Sequence, residues 1–400
     1  MRKSSISKFI AVGVVMFVVG LAVGSAAQFF VGPLSTRLLS GLGMPVDPGL
    51  AKLVNAYNMV LSRHVENELD TDAIIEGGIR GLLSKVDGGF TRYENREEVL
   101  RRQETDTGEY AGIGVSVRMV EEQVNIESVF RGSPAQGAGL LARDIIIGVN
   151  GEAIRGMLLT DVTDIIKGTP GTDVKLTILR PSQNSTFEVT ITRARIIIPL
   201  VEYEVFENGL AHVVLSQFLP NAVDQMRLTL LELNGLGVTD IVLDMRFNGG
   251  GYTDVVEKIA DFFLPANLVI YQSKDRDGKI VQYTTRNQPI FTGTTHVLLN
   301  SSSASATEIL AGALRDHLGS EIMGETSYGK GTVQTGYSLG DGSRVWITTM
   351  TYLTPNGTDI NKKGIVPDVD IPQDFEALPQ LDTQLRDALE HVRTGMVSRP

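Results

Sequence analysis

No cysteine occurs among the 400 residues. Disulfides, thiolate metal sites and a cysteine nucleophile are therefore excluded, while the redox compartment stays open. Histidine is scarce: five residues, scattered, with no His-Glu-x-x-His or comparable ligand spacing, so no metal is expected. Positive charge is in deficit. Lys and Arg number 36 against 47 Asp and Glu, and the net charge of −11 lacks the clustered basic footprint of a nucleic-acid binder. The glycine-rich stretches fit neither a Walker loop nor a Rossmann fingerprint, and no cofactor is expected. No Gly-x-Ser-x-Gly elbow surrounds Ser305. His317 lies twelve residues after Ser305 and His212 sits in an apolar strand pattern, so a Ser–His–Asp triad has little support.

What is present suits a globular protein of two or three domains: 42% hydrophobic and 21% charged residues over 400 positions. Arg2, Lys3 and Lys8 precede an uncharged apolar run over residues 9–24, then Ser25-Ala26-Ala27 and Phe29-Phe30-Val31. Charge before an apolar run is an export signature, with the positive end kept in the cytoplasm. Residues 1–32 are expected to anchor the chain in the cell membrane with its bulk outside. Cleavage near Ala27, releasing a periplasmic or secreted protein, is the alternative.

Residues 46–103 are expected to be helical, with Leu50, Leu53, Val54, Tyr57 and Leu61 at helical spacing and a second set around Ile74, Ile75 and Ile79. Residues 108–196 turn Val/Ile/Gly-rich, in short strands separated by turn signals and interrupted by one helix near Leu159 to Ile166. Strands alternate with helices over residues 199–373, which implies a mixed sheet with flanking helices. A final helix over 378–392 and a tail occupy 374–400. The fold class is thus multidomain, α+β to α/β.

Three stretches carry chemistry. The run Asn300-Ser-Ser-Ser-Ala-Ser-Ala-Thr-Glu308 joins a strand to a helix with Ile309, Leu310, Ala313 and Leu314 on one face. A serine there sits near backbone N–H groups that favour developing negative charge; a plain N-cap cluster is the structural alternative. Lys330 lies between Gly329 and Gly331, four residues before Gln334. A general-base lysine needs its pKa lowered from about 10.4 to roughly 7–8, which burial supplies; a simple turn is the alternative. Leu243-Asp-Met-Arg-Phe-Asn-Gly-Gly-Gly251 runs from a strand into a turn that presents N–H groups to an anion, or merely connects strand to helix.

Together these stretches resemble the carboxyl-terminal processing peptidases, or tail-specific proteases. Their pattern Ser-Ala-Ser-Ala-Ser-Glu matches Ser303-Ala-Ser-Ala-Thr-Glu308, and their lysine stands 25 residues after the serine, as Lys330 does after Ser305. Leu-Asp-Leu-Arg-x-Asn-x-Gly-Gly matches residues 243–251, and Gly-x-x-Pro-Asp matches Gly364-Ile-Val-Pro-Asp368. The resemblance implies an exported endopeptidase with a helical N-terminal segment, a PDZ domain and a serine protease core. It implies Ser305 as nucleophile, Lys330 as base and Gln334 in support, with an oxyanion hole from Gly250 or Gly251 together with Ala306. Gly112-Ile113-Gly114-Val115 falls at the carboxylate-binding loop of the PDZ domain, and Leu159, Val162 and Ile166, at helical spacing, are expected to line its peptide groove. The implied partners are proteins or peptides with free apolar C-termini; a homo-oligomer is left open. A catalytically inactive PDZ adaptor of the cell envelope is the competing reading, disfavoured because Ser305, Lys330 and Gln334 are all present. Two departures stand out. Asp-Pro-His-Ser-x-Tyr becomes Asp87-Gly-Gly-Phe-Thr-Arg-Tyr93, and the proline before the glycine pair becomes Gly249.

Overall fold

The computed structural model describes residues 48–106, 108–373 and 382–397. The expected export segment, residues 1–32, lies outside the described residues, as does the beginning of the expected last helix, residues 378–381. Among the described residues no helix is long and apolar enough to cross a membrane. The chain divides into two compact units, residues 1–79 and 80–400.

The first unit holds α1 (Pro48–Arg63) and most of α2 (Thr71–Leu83). Proline suits the first turn of α1, where its missing N–H is not needed, and Asp70 Oδ1 accepts the Ala73 N–H at 2.9 Å to start α2.

The second unit begins with a correction. Residues 92–94, expected within a helical segment, form β1 (Arg92–Glu94), paired antiparallel to residues 344–346. Tertiary pairing overrides local pattern here: Glu94 is buried, and its carboxylate takes Arg102 Nε and Trp346 Nε1 at 2.7 Å each. Then α3 (Arg96–Asp106) opens with a reciprocal cap, Glu98 N to Asn95 Oδ1 at 2.9 Å and Asn95 N to Glu98 Oε2 at 2.8 Å.

The β-rich domain follows as β2 (Glu109–Gly112), β3 (Val115–Val120), β4 (Gln123–Val129), α4 (Pro134–Gly137), β5 (Ile145–Val149), β6 (Glu152–Ala153), α5 (Leu159–Ile166), β7 (Asp173–Arg180), β8 (Ser185–Thr192) and β9 (Ala194–Ile197). Its sheet runs β3-β4-β5-β7-β8, with β2 paired to β9. Asn150 and Gly151, both at positive φ (53° and 86°), turn β5 into β6. Ile126, Ile146, Leu176 and Ile178 fill the core.

The third part comprises β10 (Val201–Val205), β11 (Leu210–Leu215), α6 (Pro220–Gly235), β12 (Asp240–Asp244), α7 (Thr253–Ala260), β13 (Val269–Asp275), β14 (Ile280–Thr284), β15 (Thr294–Leu299), α8 (Ala306–Leu318), β16 (Ile322–Gly324), β17 (Thr332–Ser338), β18 (Arg344–Leu353), β19 (Val369–Asp370) and α9 (Thr383–Val397). Six strands order as β10-β11-β12-β15-β16-β19, parallel from β11 onward. Continuous apolar strands are what a parallel sheet covered on both faces requires. Alternation sends Ile241 and Leu243 into one core with Leu230 and Leu310, and Val242 into another with Leu298 and Met323. That second face is closed by Ala388, Leu389 and Val392 of α9, so the last helix packs on this sheet. A smaller antiparallel sheet joins β1, β18, β13 and β14, with β17 also on β18.

Candidate active site

Three neighbouring parallel strands deliver the expected site from their carboxyl ends. After β12 comes the glycine turn, after β15 the serine run, and after β16 the Gly-Lys-Gly segment. Open α/β sheets bind ligands at this end of their strands.

The two loops after β12 and β15 are stitched together. Asn248, fully buried, donates Nδ2 to Leu215 O at 2.7 Å, and its carbonyl takes Ala304 N at 3.0 Å and Thr307 Oγ1 at 2.9 Å. Asn300 Oδ1 accepts Phe247 N at 3.0 Å. Ser305 then caps α8 with φ 61° and ψ −118°, a conformation an L-residue adopts only under constraint.

One carboxylate organises the rest. Glu308, fully buried, accepts Ser305 N (2.8 Å) and Lys330 N (2.9 Å) on Oε2, and Gly329 N (2.7 Å) and Ser327 Oγ (2.5 Å) on Oε1. Ser305 and Lys330 thus hang from the same oxygen. The Lys330 amine lies 5.0 Å from the centre of the Phe90 ring, and no hydrogen bond joins it to Ser305 Oγ among the described residues. Burial pushes the Lys330 pKa below the usual lysine value, Arg92 adds to the depression, and Glu308 opposes it.

The expected oxyanion donors divide. Gly250 N–H is taken by Asn248 Oδ1 at 2.9 Å, whereas the N–H groups of Gly251 and Ala306 carry no hydrogen bond among the described residues. Gly250 instead supplies space. A Cβ there would lie 2.8 Å from Ser305 Cβ and 2.9 Å from Ala306 N, at φ 98°. On the expected role of Ala306 N–H as an oxyanion donor, Gly250→Ala should lower kcat on the order of 10²–10³-fold, the range for losing such a donor. Steady-state kinetics on folded variant checks this; wild-type kcat would remove Ala306 N–H from the site.

The Peptidase family S41 profile matches residues 209–371 and a PDZ domain profile residues 111–191. Carboxy-terminal processing protease CtpB of Bacillus subtilis (strain 168) is 33% identical over 349 residues, covering 86% of this chain and 72% of its own. CtpA of the same organism is 32% identical over 362 residues, covering 90% and 77%. The chain belongs to peptidase family S41. It is a serine-type peptidase with a PDZ domain, which sets aside the inactive adaptor. The solved photosystem II D1 C-terminal processing protease is similar over 84% of this chain and 95% of its own, with 29% identity and a TM-score of 0.48.

Gln334 of this S41 peptidase sits on β17 opposite Thr348. Its Nε2 donates to Thr332 Oγ1 at 3.0 Å and Thr348 Oγ1 at 3.1 Å. His212 and His317 stay apart from this chemistry: His212 pairs with Asp244 at 3.0 Å, and His317 Nε2 meets Val269 O at 2.7 Å.

In the PDZ domain, β3 is an edge strand, open on the side away from β4. Gly112 and Ile113 are buried, and Gly114 has φ 82° with its Cβ direction filled by Ser133. Val115 starts β3. Val162 and Ile166 differ from expectation: they are 0% and 5% exposed in the domain core, and of the three helical positions only Leu159 is part-exposed. Their spacing puts them on one face, and that face meets the sheet. Tyr110 was not anticipated. Its hydroxyl sits at the N–H groups of Gly114 and Val115, and its pKa is raised, chiefly by burial. Glu308 was also missed, although Ser305-x-x-Glu308 is the spacing of a capping box.

Proposed function

We propose that this S41 peptidase is an endopeptidase acting outside the cytoplasm through a Ser305–Lys330 dyad, and that its PDZ domain selects substrates by apolar C-termini. The observation that carries the reading is Glu308 Oε2, which holds the backbones of Ser305 and Lys330 together while burial biases Lys330 toward a neutral amine.

The chemistry follows from that bias. With substrate bound, the amine turns from Phe90 to Ser305 Oγ; catalytic hydrogen bonds are often loose before substrate arrives. Ser305 Oγ bonds to the scissile carbonyl carbon while its proton passes to Lys330 Nζ. The oxyanion is received by Ala306 N–H and Gly251 N–H. The C–N bond then breaks, Lys330 returns the proton to the leaving amine, and water hydrolyses the acyl-enzyme.

Capture of the C-terminus would add a strand to β3, with the carboxylate at the N–H groups of Gly114 and Val115. Val162, Ile166 and Ile113 are buried in the core of the same domain, and Leu159 is part-exposed. Since Tyr110 lies at the same N–H groups, it must move aside for the carboxylate. The expected result is that amidating the C-terminus of an apolar-tailed peptide weakens binding about tenfold or more, since hydrogen bonds to a charged group contribute about 1.5–3 kcal/mol each. Calorimetry on the Ser305→Ala protein with matched free and amidated peptides measures it. Equal affinity would end the C-terminus reading.

The export pattern of residues 1–32 supports a membrane anchor with Arg2, Lys3 and Lys8 inside; a soluble mature chain beginning near Gln28 would show cleavage after Ala27 instead. Exposed apolar residues of α1, among them Leu53 and Met59, support a homo-oligomer.

A further inference from the structure

The departure at residues 87–93 lies against the proposed dyad. Phe90 from that turn carries the Lys330 amine on its ring. Asp87 from the same turn is bound by Thr348 Oγ1 at 2.5 Å and Thr91 Oγ1 at 2.8 Å on Oδ2, and by Thr91 N at 2.6 Å on Oδ1. Thr91 Oγ1 in turn accepts Thr348 N at 3.2 Å. Residues 87–91 and the middle of β18 are therefore locked to each other immediately behind Gln334.

We propose that Asp87 and Thr348 are positioning residues of the catalytic centre, which fix the direction of the Gln334 carboxamide and so the end it offers to Lys330. A threonine hydroxyl has one proton. An ionised carboxylate only accepts, so that proton is committed to Asp87. Burial raises the Asp87 pKa, but the hydrogen bonds from Thr348 and Thr91 outweigh it and leave the carboxyl below its usual value. Thr348 Oγ1 must then be an acceptor toward Gln334, which requires the amide nitrogen on that side. The second amide proton goes to Thr332 Oγ1. Both protons are used, and Oε1 is left as the free end, able to accept from an amine. The β17–β18 register shifts between Val333 and Gln334, the kind of irregularity that re-aims a side chain. Arg92 and Glu308 are the charged groups that act on Lys330 itself.

This inference rests on the Ser305–Lys330 reading, and the test separates the two. Thr348→Val removes the hydroxyl at nearly constant shape, Thr348→Ser keeps it, and Asp87→Asn keeps the size but offers an N–H that can reverse the chain of hydrogen bonds. The expected kinetics are a fall in kcat on the order of 10²-fold for Thr348→Val, the scale of a misplaced catalytic group, with KM unchanged. Thr348→Ser should recover most of the rate. Asp87→Asn should lose rate in the same way, and Asp87→Asn/Thr348→Val should be no slower than Thr348→Val alone. Thermal unfolding of each variant accompanies the kinetics. Wild-type kcat in Thr348→Val, no recovery in Thr348→Ser, or additive losses in the double variant would each overturn the proposal. A fully active Lys330→Ala would remove the dyad and the relay together. An inactive Lys330→Ala beside a fully active Thr348→Val would remove the relay alone.

Discussion

Ser305→Ala and Lys330→Ala are each expected to slow peptide-bond cleavage by about 10⁴- to 10⁶-fold, and the double variant to be no slower than either. In the proposed dyad the two side chains would make and break the same proton bond, so losing one would leave nothing for the other to do. Only the glycine turn and the helix N-terminus would still act on a bound substrate. In the intact enzyme kcat/KM should rise with pH along one ionisation below about 10.4, because a lysine whose pKa burial has depressed becomes a neutral base above that lowered value. Hydrolysis of a casein-type reporter across pH measures both effects. A Lys330→Ala enzyme with near-full rate, or a profile governed by a group that vanishes in His317→Ala, would place the base elsewhere.

Removing the Glu308 carboxylate should have the largest effect on the fold around the site. Glu308→Ala would leave Ser305 N, Ser327 Oγ, Gly329 N and Lys330 N without their acceptor in a fully buried position. Each unsatisfied buried donor costs about 1–3 kcal/mol. Some relaxation and water entry offset the sum, so a loss of roughly 3–5 kcal/mol is expected, comparable to breaking a buried pair. Activity should fall steeply as well, since the Tyr352 hydroxyl, at Ser305 O (3.0 Å) and Lys330 O (2.6 Å), would be left to join the two backbones. Glu308→Gln is the sharper variant: one end of its amide would face donors with another donor, so it should remain folded yet stay far below wild-type rate. Denaturant melts and kinetics on both variants decide the matter. Wild-type stability and rate in Glu308→Ala would show that the carboxylate is a bystander.

Much of the fold is readable along the chain because its signals are local. The apolar run Ile145–Val149 and the spacing over Leu159–Ile166 reproduce β5 and α5 to the residue. Strands alternating with helices imply a mixed sheet covered by helices, and the structure makes its main sheet parallel from β11 onward. What local pattern does not carry is which distant segment meets which face. β1 is three residues long and exists because β18 lies beside it. Val162 and Ile166 share a face, as their spacing says, but only the folded domain shows that this face is turned to the core. The site divides in the same way. Ser305, Lys330 and Gln334 stand out by spacing and by resemblance, and Glu308 is written in a capping pattern. Asp87 and Thr348 meet across most of the chain, so no periodicity or motif announces their contact.

The central claim is that Ser305 is the nucleophile and Lys330 its base. It is tested most directly by reacting the protein with a serine-directed acylating or phosphonylating probe and mapping the adduct by peptide mass spectrometry. The expected result is a single adduct on Ser305, formed faster as pH rises, slowed on the order of 10³-fold or more in Lys330→Ala and absent in Ser305→Ala. An adduct on another serine, or labelling of Ser305 at an undiminished rate in Lys330→Ala, would contradict the account.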